Sequence, residues 1–178
     1  MIPTLETPRL ILRPPVPADS GAISRYLNNF AVAGNLARVP YPYRPSDAEA
    51  WLASFRADRP AEAAQFAIEL PGAGYVGQVG FNAGGAAPEL GYWLAEPFWH
   101  RGIMTEAAGA AVDWLFTVTD TSTIRSGAFA FNKASLAVQK KLGFIETGVS
   151  MRHCLARGED VRHIDTQLSS AGWAGTKR

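Results

Sequence analysis

The passage from Gly91 to Ala107, GYWLAEPFWHRGIMTEA, constrains the fold more than any other stretch of the chain. It joins a strand to a helix through one short loop, so the domain mixes both element types. The strand, Glu89 to Leu94 (ELGYWL), is short and aromatic. The helix opens at Gly102. Beyond it, Met104, Ala107, Ala108, Ala111, Val112, Leu115 and Phe116 recur at helical spacing and form a broad apolar face.

The flanking sequence supplies the remaining elements. Leu10 to Arg13 reads as a first strand, ended by Pro14 and Pro15, which lack a ladder donor. Ala18 to Asn28 is helical, with Ala22, Ile23, Tyr26 and Leu27 on one stripe. Val39 to Pro45 is a turn-rich loop. Ser46 to Glu49 matches a capping box that opens a second helix with Trp51, Leu52 and Phe55 on its apolar face, stopped by Pro60. Phe66 to Ile68, Tyr75 to Asn82 and Glu89 to Leu94 lie close enough in sequence for an antiparallel meander. Ile124 to Phe131 is a strand and Ala134 to Leu142 a helix, with Gly143 as a left-handed cap. Phe144 to Met151 and Val161 to Leu168 close the chain as two strands around a turn at Arg157 to Asp160. The order βααβββαβαββ is that of a mixed α/β or α+β domain. The 178 residues make one domain, 1–178, with residues 171–178 (AGWAGTKR) expected to fray.

Composition narrows the function. Lys and Arg number 17 against 16 Asp and Glu, which argues against a dedicated nucleic-acid binder. The single cysteine, Cys154, excludes an internal disulfide and a cysteine-cluster zinc site, and fits a reducing, cytoplasmic setting. His153 beside it is no base for it, because adjacent strand residues point to opposite faces. The three histidines, His100, His153 and His163, lack metal-ligand spacing, so no metal is expected. No apolar run approaches the roughly 18 residues of a membrane span, and no secretory signal is visible.

A helix N-terminus offers unpaired N–H groups and a positive dipole end, which suit a pyrophosphate. At Gly102 the backbone is free to approach such a ligand, and Arg101 adds a full charge beside it. The loop is neither Walker A (Gly-x-x-x-x-Gly-Lys-Ser/Thr) nor the Rossmann Gly-x-Gly-x-x-Gly. A second strand-to-helix junction, Asn132-Lys133-Ala134-Ser135, leads to a helix ending Lys140-Lys141-Leu142-Gly143-Phe144.

With these two junctions, the segments ETPRLILRPP, FAIEL, YVGQVGF, ELGYWLAEPFWHRGIMTEA, the Asn132-x-x-Ser135…KLGF run and the late strand with Asp165 together resemble the GNAT superfamily of acetyl-CoA-dependent N-acetyltransferases. The closer match is the RimJ/RimL-like subgroup of ribosomal-protein N-terminal acetyltransferases. The resemblance implies the GNAT acyl-CoA N-acyltransferase fold, a central, mostly antiparallel twisted sheet flanked by helices. It places Tyr92, Trp93 and Leu94 along the pantetheine arm. The family's pyrophosphate loop, Gln/Arg-x-x-Gly-x-Gly/Ala, falls on Trp99, His100, Arg101, Gly102, Ile103 and Met104, with Thr105 adding a hydroxyl. Arg101 and Gly102 fit; Trp99 and Met104 depart from it. Asn132 and Ser135 are implied cofactor contacts, Asn132 doubling as a helix N-cap.

Many members place a tyrosine seven residues after this asparagine, as the acid that protonates the departing thiolate. Gln139 stands there, and an amide is no such acid. The resemblance therefore leaves Ser135, or water, as the acid. An α-amine with a pKa near about 8 needs no strong base, so a carboxylate through water suffices. Glu89 is the implied base, with Glu106 a weaker rival placed where a carboxylate meets the helix dipole. Tyr41, Tyr43 and Arg44 are candidate acceptor contacts, bordered by Arg152 and Asp165. The implied reaction is direct transfer of acetyl from acetyl-CoA to a primary amine, a protein N-terminus or a small molecule, by a monomer or homodimer with no nucleic-acid or membrane partner. Two other readings stand beside it. One is a non-catalytic acyl-CoA sensor, motivated by Gln139 and Met104. The other is a nucleotide-binding module using Arg101 and Gly102.

Overall fold

The computed structural model describes residues 2–55 and 58–176. Its strands are β1 (Leu5–Glu6), β2 (Ile11–Arg13), β3 (Gln65–Leu70), β4 (Gly74–Asn82), β5 (Glu89–Leu94), β6 (Thr123–Phe129), β7 (Ile145–Cys154) and β8 (Glu159–Ser169). Its helices are α1 (Ser20–Leu27), α2 (Phe30–Ala33), α3 (Pro45–Ala53), α4 (Ile103–Val118), α5 (Lys133–Lys141) and α6 (Ser170–Thr176). One eight-stranded sheet runs in the order β1-β2-β3-β4-β5-β6-β8-β7. Its pairings are antiparallel except β5 with β6.

Each sheet face has its own core. On one, α4 buries Ile103, Met104, Ala107, Ala108, Ala111, Val112 and Leu115 against β2–β6 and β8. Its alanines keep the helix close to the sheet, and Trp114 meets Phe66 edge-on at 5.2 Å. On the other, Ile23, Leu27, Val32, Tyr43 and Ala48 pack on Ala67 and Tyr75.

The expected meander of β3, β4 and β5 is present. So is the left-handed Gly143 after α5, at φ 89°. Several boundaries differ. The first helix begins with a separate 3-10 turn at Pro17–Asp19. Ser46 is not the cap of α3: Pro45 takes the first helical position, and the Asp47 carboxylate accepts from the Arg44 N–H at 2.7 Å. The last hairpin is longer than its apolar pattern, and its turn lies at residues 155–158. The chain stays helical through Thr176, and the Trp173 indole packs on the core and donates to Asp113 at 3.2 Å. Residues 177 and 178 lie outside the described residues.

One polar cluster ties the first strands to α4. The Glu106 carboxylate accepts from the Thr7 hydroxyl at 2.6 Å, the Arg9 N–H at 3.0 Å and the Arg9 guanidinium at 2.6 Å. Burial works against its charge, but these donors win and hold the carboxyl below its ordinary range. Such a group stabilises the fold above its unfolded pKa, and that stability is lost as pH falls through the folded pKa. Glu106→Gln is expected to cost about 1–2 kcal/mol at neutral pH, with the deficit shrinking under acid conditions. Urea unfolding at several pH values reads this out; a pH-independent deficit contradicts it.

Candidate active site

The site begins where the sheet splits. β5 and β6 share one paired position, Glu89 with Arg125, beside an Arg125 N–H to Pro88 carbonyl bond of 2.9 Å. Beyond it the two parallel strands diverge. Along a strand, main-chain groups alternate between neighbours. The Ala95 N–H bonds back to Val76 at 2.9 Å, so odd positions of β5 face β4. Residues 90, 92 and 94 therefore face the gap. The Leu90 carbonyl is taken by the Ser126 hydroxyl at 3.0 Å, and the Leu94 carbonyl by the Trp99 indole N–H at 2.7 Å. Between these two closures, the Tyr92 N–H and carbonyl are turned into the gap.

The mouth of the gap meets the start of α4. Gly102, at φ 73° and ψ 2°, is the helix N-cap, and His100 also has a positive φ of 59°. Both lie in the left-handed region; glycine enters it freely, whereas a histidine there is uncommon. The first backbone bond of the helix is Glu106 N–H to the Gly102 carbonyl at 3.1 Å. The N–H groups of residues 103–105 thus form the open end, a ready anion site. Met104 is only 7% exposed and lies in the core, so its bulk points away from that end. Trp99 spends its one polar group closing the loop on Leu94. Arg101 is exposed, its guanidinium 5.8 Å from the Phe98 ring centre. Its carbonyl accepts from Arg9 at 2.9 Å. Arg9 thus stands beside the loop as well, 3.5 Å from where a Gly102 Cβ would sit. Sequence reasoning missed this, because Arg9 is 92 residues from Arg101.

On the α4–α5 face, Asn132 caps α5, its side-chain oxygen accepting from the Ser135 N–H at 3.1 Å. The Ser135 hydroxyl lies 2.9 Å from that of Tyr92. Gln139 is buried. It accepts from Thr166 at 2.6 Å and donates to the Gly127 carbonyl at 3.0 Å.

On the opposite face lies a charged cluster. Glu89 binds Arg152 at 2.7 Å and lies 3.8 Å from Arg38. Arg152 is also 3.6 Å from Asp165. The Asp165 carboxylate accepts from Ser150 at 3.0 Å and His163 Nδ1 at 2.9 Å. Burial lowers the His163 pKa and outweighs its bond to Asp165, so the ring is neutral at pH 7. Burial would raise Asp165, but Ser150, His163 and the charge of Arg152 hold it below the ordinary range. The ring of His163 lies where a Cβ on Gly127 would collide with it. A glycine is required there for the cluster to close.

The other expected residues separate. Tyr43 is 7% exposed and packs in the second core, its hydroxyl pushed up to about 12, mainly by burial. Tyr41 is at the surface, edge-on to Phe30 at 5.3 Å, and Arg44 is exposed at the start of α3. Cys154 is buried near the Gly34 and Leu36 carbonyls, whereas His153 faces outward onto Asp160 at 2.8 Å. Among the described residues, no group of three His, Cys, Asp or Glu side chains is placed to hold a metal ion. No helix among them is long and apolar enough to cross a membrane.

Comparison with known proteins places this geometry. Residues 9–145 match the family model for the acetyltransferase (GNAT) domain. The ribosomal N-acetyltransferase YdaF of Bacillus subtilis is 28% identical over 89 residues, which is 50% of this chain and 49% of that relative. The matched segment thus spans about half the length of that curated relative. Among solved structures, the ribosomal-protein-S5-alanine acetyltransferase of Vibrio fischeri superposes with a TM-score of 0.82 at 21% identity, covering 97% of this chain and 99% of that one. RimJ of Mycobacterium smegmatis, in complex with CoA-disulfide, gives 0.77 at 24% identity, covering 91% and 82%. The family match over residues 9–145, more than half of the chain, shows that it belongs to the GNAT acetyltransferase family.

Proposed function

We propose that this protein transfers the acetyl group of acetyl-CoA to a primary amine by direct attack within a ternary complex. The observation that carries the reading is the gap at Tyr92. It is a strand edge with free main-chain groups, ending at an open helix N-terminus flanked by Arg101 and Arg9. The pantetheine arm is an amide chain that such an edge can bind, and the pyrophosphate is an anion that the helix start can hold. Tyr92 contributes its N–H and carbonyl and Leu94 its N–H, with Trp93 between them turned to β4. Gly102, Ile103, Met104 and Thr105 contribute N–H groups, with Trp99 and His100 shaping the turn and Asn132 and Ser135 lining the far side.

The acceptor enters from the face of Glu89. Arg152 orients Glu89, so that Glu89 can take the amine proton through water. Asp165 adds a second carboxylate that draws an ammonium group toward the cluster. Ser135 stands across the gap as the donor to the leaving sulfur. The acceptor class is a protein N-terminus or a small amine, and the setting is the cytoplasm.

A second reading, an acyl-CoA sensor without turnover, is motivated by Gln139 at the position where the family's acid is usual. Thiol release from acetyl-CoA with a panel of amines and N-terminal peptides separates the two. Turnover is expected, and binding without turnover across the panel favours the sensor. A melting-temperature rise with acetyl-CoA but not with ATP is expected, and the reverse points to a nucleotide-binding module. Arg101→Ala is expected to weaken acetyl-CoA binding by about fivefold, worth roughly 1 kcal/mol, in calorimetric titration. An unchanged dissociation constant removes Arg101 from the pyrophosphate site. Glu89→Gln is expected to lower kcat by about 100-fold with little change in acetyl-CoA affinity. Full activity across the neutral pH range retires Glu89 as proton acceptor.

A further inference from the structure

Gln139 fills the helical position at which the family resemblance leads one to expect a phenol, and its amide is already engaged. Its oxygen accepts from Thr166 at 2.6 Å. Its nitrogen donates to the Gly127 carbonyl at 3.0 Å and lies 3.4 Å from the Ser135 hydroxyl. A phenol is nonetheless present, supplied by the facing strand. Tyr92 reaches from β5 to α5, where its Oη is 2.9 Å from Ser135 Oγ and donates to the Ser135 carbonyl at 3.1 Å. Both contacts of the phenol are therefore on one residue, the proposed donor to sulfur.

We propose that Tyr92 is the proton reserve for the departing thiolate and acts through the Ser135 hydroxyl. The inference rests on the acetyl-transfer reading above. A lone serine is a poor acid toward a thiolate. A phenol, with a pKa near about 10, lies much closer to a thiol at about 8.5. As the carbon–sulfur bond breaks, its electron pair goes to sulfur. The Ser135 proton turns from Tyr92 Oη to that sulfur, and the Tyr92 proton turns from the Ser135 carbonyl to Ser135 Oγ and restores the hydroxyl. Burial disfavours a phenolate at Tyr92 Oη, so the negative charge passes through it only as a proton from water replaces the one given up. The amine proton leaves through Glu89 to solvent, so protons and charge balance.

Burial raises the Tyr92 pKa despite its bond to Ser135, so the phenol holds its proton at neutral pH. Gln139, pinned by Thr166 and Gly127, keeps the Ser135 oxygen aligned. Tyr92 is thus a positioning residue, one bond removed from the chemistry.

The test compares Tyr92→Phe, Ser135→Ala and the double variant in the full chain. Tyr92→Phe keeps the ring and the main chain. It is expected to lower kcat by about tenfold or more with KM for acetyl-CoA unchanged. The double variant is expected to be no slower than Ser135→Ala, because both changes interrupt one path. A second readout needs no acceptor: the thiolate absorbance of bound CoA followed against pH. The bound thiol is expected to titrate below free CoA, and both single variants are expected to move it back up. Wild-type kcat in Tyr92→Phe, losses that multiply in the double variant, or a thiol titration unmoved by Tyr92→Phe each overturn the relay. A wild-type protein that binds CoA but acetylates no amine contradicts the acetyl-transfer reading, while the thiol titration still decides the relay. A protein that binds no CoA overturns both.

Discussion

The single pairing of Glu89 with Arg125 is the constraint on which the site depends. Had β5 and β6 paired along their length, the sheet would close and every main-chain group of β5 would be spent. Instead the strands part after one pair. The exposed edge is trimmed at both ends, by Ser126 on the Leu90 carbonyl and by Trp99 on the Leu94 carbonyl. A buried unpaired main-chain group costs about as much as a lost hydrogen bond. An edge left open only from the Tyr92 N–H to the Leu94 N–H is thus an opening of limited length, suited to one extended chain.

The two sheet faces then divide the residues of the proposed site. The face of α4 and α5 carries the helix N-terminus, the Ser135 hydroxyl and the Tyr92 phenol. The opposite face carries Glu89, Arg152, Asp165 and His163. Each side is held by long-range ties rather than by local sequence. Glu106 links α4 to Thr7 and Arg9, Gln139 links α5 to β6 and β8, and Arg157 links the last hairpin to the Gly34 carbonyl at 2.8 Å. The Arg157 guanidinium also lies 5.2 Å from the Phe30 ring centre and 4.4 Å from that of Phe131. Such cation–π contacts add about 0.5–2 kcal/mol each, and they hold the hairpin on the sheet face that carries Glu89 and Asp165.

Much of this was legible in the sequence. The strand-to-helix passage at Gly102, the cap at Asn132 and the left-handed Gly143 are local features, and local propensity marks them. The meander followed from close spacing of β-prone segments. Helix capping at residues 44–47 was misread because two adjacent N-terminal signals compete, and proline at the first helical position prevailed over serine. The loop residue Tyr43 is turned inward onto Ile23 and Leu27, a long-range packing that its Pro-rich surroundings do not mark. The partners of Glu89, Glu106 and Gln139 lie 63, 97 and 27 residues away, so no spacing rule points to them. The phenol on β5 escaped notice because strand residues were read for their backbone alone.

The central claim is that an acyl-CoA arm pairs with the open edge of β5 and that its pyrophosphate sits on the start of α4. Amide hydrogen exchange, measured with and without acetyl-CoA, tests it most directly. The account predicts that protection gained on binding concentrates in residues 90–94 and 102–106. Binding that leaves those two segments unchanged, or protects a different strand edge, would contradict it.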